Sequence, residues 1–176
     1  MPPRPPAEPR FAADAMLGRL ARWLRVLGWD TFFDATVHDP ELVRRADAED
    51  RVLLTRDRHL LRALAPRRHI EIRHDAPLAQ LVQVVRVLDP PPPAELFLRC
   101  TVCNGVLSAP VDLDQARPLL PLGLRHDPPT PVRACPDCGR LYWPGSHVRR
   151  MRDALVRSLP GWLDAAGREG SAGANR

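Results

Sequence analysis

The chain has 176 residues, 44% of them apolar, which suits one domain of ordinary size with a small appendage and excludes wholesale disorder. Its formal charge of +5 and pI of about 9.8 favour a polyanionic partner. No apolar run approaches the ~18 residues of a membrane helix, and the opening MPPRPPAEPR lacks the apolar stretch of a secretion signal, so a cytoplasmic protein with no membrane partner is expected.

Residues 1–10 read as a proline-rich tail. Residues 11–88 then alternate short apolar runs with amphipathic segments: FAA, a helix over 15–27, TFF, a helix over 40–49, VLLT, a helix over 58–65, IEI, and a helix over 78–88. This βαβαβαβα order predicts an α/β fold, a central parallel sheet covered by helices. Leu17, Leu20, Leu24 and Leu27 form one stripe of the first helix, which Gly28 stops. Leu78, Leu81, Val82, Val85 and Leu88 do the same for the last. Asp39 followed by Pro40 is a good helix start.

The segment DPPPPAE, residues 89–95, cannot continue a helix and reads as a stiff linker. Residues 96–158 are then expected to form a zinc ribbon with a closing helix, and residues 159–176 a disordered tail.

The ribbon rests on Cys100, Cys103, Cys135 and Cys138. Each pair has two residues between its cysteines, so both thiolates can face one ion, and four thiolates complete the tetrahedron that Zn²⁺ accepts. Asn104, Gly105 and Gly139 suit the tight turns behind such knuckles. The long stretch between the pairs, residues 104–134, predicts a β-rich insertion. Two disulfides are the competing reading, disfavoured by the lack of an export signal.

The chemistry-bearing acids follow the strands. Asp14 comes after the first, Asp34 after the second, Asp57 after the third and Asp75 after the fourth, so a parallel sheet gathers them at its carboxyl edge, where open α/β sheets bind ligands. Asp39 and Glu41 open the second helix near that edge. Clustered carboxylates need cations, and Mg²⁺ or Mn²⁺ are the natural counter-charge. Each acid also has an ordinary explanation: Asp39 and Asp57 as helix caps, Asp34 and Asp75 as solvated loop residues.

All 26 basic residues are arginine, for which a GC-rich genome is sufficient reason, yet planar bidentate donors suit phosphate oxygens. Arg19, Arg22 and Arg25 recur on the first helix away from the leucine stripe. Together with Arg56 and Arg58, which flank Asp57, they are the candidate contacts to a phosphate backbone, a solvated helix face being the alternative.

FAADAMLGRLARWLRVLGWDT, RVLLTRDRHLL, the C-x-x-C pair followed by Asn104, and CPDCGRLYWPGSH followed by RRM resemble the Mut-seven C-terminal RNase family over about residues 10–155. The resemblance implies a PIN-like three-layer nuclease fold with an appended zinc ribbon. It also implies a metal-dependent ribonuclease acting on RNA, expected to cut internally. Asp14, Asp39 and Asp57 correspond to the family's acids; Glu41 and Asp75 compete as a fourth. Tyr142, Trp143, Gly145 and His147 fit its closing motif, either packing the ribbon or stacking RNA bases. The ubiquitin-like domain that some members carry is not expected ahead of Phe11.

Competing functions are an RNA-binding module without cleavage, a phosphoacceptor domain centred on Asp57 and disfavoured by the lack of lysine, and a hydrolase centred on the zinc. A homo-oligomer is possible, with Trp29 or Phe33 exposed on the pairing surface.

Overall fold

The computed structural model describes residues 8–163. The expected α/β fold is present as a four-stranded parallel sheet, β1 (Phe11–Ala13), β2 (Thr31–Phe33), β3 (Val52–Thr55) and β4 (His69–Glu71), in the order β2-β1-β3-β4. Four helices connect or follow these strands: α1 (Gly18–Val26), entered through a 3₁₀ turn at Ala15–Leu17, α2 (Asp39–Ala48), α3 (Arg58–Leu64) and α4 (Pro77–Leu88). Among the described residues no helix is long and apolar enough to cross a membrane.

Alternation along the strands sorts the core into two layers. Phe11, Ala13, Val52 and Leu54 face α1 and α4, where Leu17, Leu20, Leu24, Leu27, Leu81 and Val85 are buried against them. Ala12 and Leu53 point the other way, onto Leu42, Val43 and Ala46 of α2 and Leu60 of α3. The chain moves outward from β1 to β2, then returns past β1 to β3. Reversing direction puts the connecting helices on opposite faces and leaves a switch point between the carboxyl ends of β1 and β3.

The ribbon is less regular than its spacing predicts. β5 (Arg133–Ala134) and β6 (Leu141–Tyr142) form a short antiparallel hairpin around the second knuckle, and a single bridge from Arg99 to Val106 closes the first. The intervening stretch is not β-rich. It carries α5 (Leu113–Ala116), two 3₁₀ turns at Arg117–Leu119 and Leu122–Leu124, one isolated antiparallel bridge from Pro110 to Arg133, and otherwise irregular chain. Prolines 110, 118, 121, 128, 129 and 131 remove the N–H groups a longer ladder would need.

Two expected boundaries move. The closing helix α6 (Ser146–Ser158) packs on α4, and Leu155 and Leu159 are buried in the sheet's own core, so this helix completes the first domain rather than the ribbon. Residues 159–163, expected in a disordered tail, are packed: Trp162 meets Trp29 edge to face at 6.0 Å and its indole N–H donates to Pro90 O at 3.0 Å. The rest of that tail, and residues 1–7, lie outside the described residues. Trp29 is therefore buried, not a pairing surface, and the half-buried Phe33 covers Gly18, where a Cβ would come within 2.7 Å of the ring.

Candidate active site and metal centre

Because all four strands are parallel, Asp14, Asp34, Asp57 and Asp75 do follow them at one edge. Asp14 and Asp57 stand on the neighbouring strands that bound the switch point. Asp14 is 7% exposed, and its backbone N–H donates to Leu54 O at 3.0 Å, tying it to β3. The Thr55 hydroxyl donates to Asp14 Oδ2 at 2.6 Å and accepts the Asp57 backbone N–H at 2.9 Å.

Asp57 caps α3, its Oδ1 accepting from the N–H groups of His59 at 2.7 Å and Leu60 at 3.1 Å. Each of the two carboxylates thus commits one oxygen to internal donors. Among the described residues the other oxygen, Asp14 Oδ1 or Asp57 Oδ2, has no protein hydrogen-bond partner.

The remaining acids are arranged differently. Asp39 is exposed at the first position of α2, with His38 rather than Asp39 in the cap position. Glu41 pairs with Arg44 on the same helix. Asp75 is held by Arg56 at 2.6 Å. Asp34 closes a turn by accepting from Thr36 Oγ1 at 2.7 Å and Thr36 N at 2.9 Å, and these hydrogen bonds hold its carboxyl below the usual range. Among the described residues, the only group of three or more His, Cys, Asp or Glu with ligand atoms within 4.8 Å of one another is the cysteine cluster. Asp14, Asp39 and Asp57 do not converge that closely. A hydrated Mg²⁺ or Mn²⁺ takes only one or two carboxylates directly and keeps several waters, so the donor set fits that mode rather than an all-protein cage.

An open cleft of about 740 Å³ runs beside this edge. Met16, Gly18, Arg56, Asp75 and Pro77 line it with Arg19, Arg22 and Arg25 of α1 and with Thr101 and Val102 of the first knuckle, whereas Asp14, Asp39 and Asp57 do not line it. Four of the five arginines expected to touch RNA therefore share one cleft. Arg58 does not line it and pairs with Glu71 at 2.8 Å. Arg19, Arg22 and Arg56 are exposed, but Arg25, expected beside them as an RNA contact, is 3% exposed, which also removes the solvated-face alternative for it.

The four thiols are unpaired by disulfides, and their Sγ atoms lie within 4.8 Å of one another. Cys100 and Cys138 are 3.6 Å apart and Cys103 and Cys135 3.3 Å. Zinc–sulfur bonds of ~2.3 Å in a tetrahedron place sulfurs roughly 3.8 Å apart, so the donor set fits Zn²⁺. Gly105 permits the knuckles to approach; a Cβ there would sit 3.2 Å from Cys135 Sγ and collide with Asp137.

Burial opposes ionisation of Cys100, but hydrogen bonds from the Cys103 amide, the Tyr142 hydroxyl and the Val102 amide outweigh it and bring the thiol down to about 6. Burial and the neighbouring sulfurs push Cys103 up to about 12. Adjacent thiols ionise together only with a cation between them.

Tyr142 supports the ribbon directly. Its hydroxyl lies 3.0 Å from Cys100 Sγ and accepts the Thr101 N–H at 3.1 Å. Trp143 is half-buried beside Phe97 and Pro131 in a small pocket, Gly145 caps α6, and His147 is exposed on that helix.

Sequence reasoning missed three further residues. Thr55 had a signal, a hydroxyl ending a buried strand two residues before an acid. Asn104, expected only as a turn residue, also docks the ribbon: its Nδ2 donates to Asp30 Oδ1 at 2.7 Å and its Oδ1 accepts from Thr31 N at 2.9 Å. Asp30 also binds Arg51 and Arg10, an arrangement with no local pattern in the chain.

Searches of curated proteins and of solved structures return no match. The family model of the Mut7-C RNAse domain matches residues 9–155, most of the chain, and the protein belongs to that RNase family.

Proposed function

We propose that the protein is a metal-dependent ribonuclease that hydrolyses internal phosphodiester bonds of RNA at the carboxyl edge of its sheet. The observation that carries this reading is Asp14: a buried carboxylate at the switch point, oriented by Thr55, on the sheet edge that the arginine-lined cleft reaches through Met16 and Arg56. Asp14 and Asp57 would hold Mg²⁺ or Mn²⁺ by their unengaged oxygens, with Asp39 as the third acid acting across the hydration shell. Such an ion, when bound, lowers the pKa of a water and neutralises charge on the leaving oxygen.

The chain's own groups do the rest. Thr55 holds the Asp14 carboxylate in one orientation, and the α3 cap holds Asp57. Arg19, Arg22 and Arg56 would bind successive phosphates along the cleft, and Arg58 a phosphate in place of Glu71. An open cleft does not require a free RNA end, which favours internal cuts. Zn²⁺ on the four cysteines is structural, since a closed four-thiolate site has no position for water. Unpaired thiols support a reducing, cytoplasmic setting.

One observation favours a second reading, an RNA-binding zinc-ribbon protein that does not cleave: the three acids are not within 4.8 Å of one another. Incubating the pure protein with mixed cellular RNA in Mn²⁺, in Mg²⁺ and in chelator, then sequencing the ends, separates the two. Internal cuts bearing 5′-phosphates, present only with metal, are expected. RNA that is retarded on a native gel but uncut under all three conditions supports the second reading.

A further inference from the structure

Arg25 is the buried arginine of the cleft, and its donors are almost consumed. Its Nε and Nη2 donate to Thr31 O at 3.1 and 2.8 Å. Its Nη1 donates to Thr101 O at 3.2 Å and to Val102 O at 2.8 Å. Thr31 begins β2, and Thr101 and Val102 are the residues between Cys100 and Cys103, so one side chain clamps the first knuckle to the sheet.

All of these acceptors are neutral carbonyls. The neighbouring carboxylate, Asp30, is committed elsewhere: to Arg51 at 2.8 and 3.1 Å, to Arg10 at 3.1 Å and to Asn104 at 2.7 Å. Removing a guanidinium from water without a paired anion is costly. Burial lowers the Arg25 pKa, and the neighbouring side chains that oppose this most are Cys100 and Cys103. Zinc held by four thiolates carries a net charge of about −2.

We infer that Arg25 is the counter-ion of the zinc–thiolate centre and the residue that couples it to the cleft. The guanidinium stabilises the four-thiolate anion while fixing Thr101 and Val102 as a wall of the arginine-lined channel. Arg25 thus serves RNA by building the wall, and Arg19, Arg22 and Arg56 are left as the phosphate contacts. Partners of this kind, outside the ligand set, typically change metal affinity about 10–100-fold.

The inference rests on the zinc reading, so the zinc content of the wild-type protein is measured first; protein without zinc overturns that reading itself. On the zinc-loaded full chain, release of zinc to a competing chelating dye is then followed well below the unfolding temperature. Arg25→Gln should release zinc about 10–100-fold faster than wild type. Arg25→Lys, which keeps the charge but not the planar fork, should fall between them. Leu42→Ala, which opens the core under α2 on the opposite face, controls for lost stability and should release zinc at the wild-type rate.

Wild-type release from both Arg25 variants overturns the inference, as does equal acceleration by Leu42→Ala at a matched loss of Tm. If Arg25→Gln does not fold, the Arg25→Lys rate decides alone, and a wild-type rate there overturns it.

Discussion

Thr55 and Asp14 are joined by a 2.6 Å hydrogen bond across the two central strands, and the Thr55 hydroxyl accepts the Asp57 N–H on its other side. Thr55 is fully buried, so no water replaces either hydrogen bond. Thr55→Val keeps the shape and removes both. It should destabilise the protein by roughly 1–3 kcal/mol, the cost of unsatisfied buried polar groups, and slow RNA cleavage further by freeing the Asp14 carboxylate. Thr55→Ser should restore both. Urea unfolding and single-turnover cleavage of the three proteins check this; full activity in the valine variant would remove Thr55 from the site.

The Asp30 cluster gives a pH dependence of defined sign. Burial alone would raise the Asp30 pKa, but Arg51, Asn104 and Arg10 outweigh it and hold the carboxyl well below the usual carboxylate range. The unfolded chain therefore binds the proton first as pH falls, so the stability from Asp30 is complete above its unfolded pKa of about 3.9 and declines below it, toward the folded value. Urea midpoints should show Asp30→Asn clearly less stable at pH 6, with the gap to wild type narrowing at pH 3. A gap that stays constant would contradict the assignment.

Much of this was legible in the chain because its signals are local. The leucine stripe of α1, the strand–helix alternation and the two cysteine pairs each declare themselves within a few residues. The placement of Asp57 as a cap follows from TRDRHL in the same way. Arg25 did not follow, because arginines three apart do not share one face: each step falls about 60° short of a turn, so Arg25 is rotated about 120° from Arg19 toward the buried side. The pairing of Asp30 with Arg51 and Asn104, and the return of α6 to the sheet's core, depend on residues distant in sequence. No periodicity reports them.

Along the cleft, Arg19 and Arg22 are exposed and neither makes an ion pair among the described residues, so their charges are available to phosphate. Replacing both with glutamine should weaken RNA binding and lower the slope of log affinity against log salt by about 0.7 for each phosphate no longer neutralised. Fluorescence anisotropy with a labelled single-stranded RNA at several salt concentrations measures this. An unchanged slope would return both residues to an ordinary solvated face.

At the metal centre, Cys135→Ser removes a buried ligand and opens the tetrahedron. Zinc content should fall, and hydrogen exchange should rise first across residues 95–145 while β1 to β4 and α6 stay protected. Metal analysis of the wild-type protein showing no zinc would contradict the ribbon assignment outright.

The central claim is that the Asp14 and Asp57 carboxylates hold the ion that cleaves RNA, and charge removal without change of shape tests it most directly. Asp57→Asn retains an oxygen to accept from His59 and Leu60, and asparagine is as good a cap as aspartate, so the fold should persist. Asp14→Asn likewise keeps an acceptor for Thr55. Cleavage rate and RNA affinity are measured on both variants and wild type in Mn²⁺ and in chelator. The prediction is cleavage lower by orders of magnitude in each variant, with RNA affinity and Tm equal to or above wild type. Wild-type cleavage by both variants would contradict the carboxylate site and leave an RNA-binding protein.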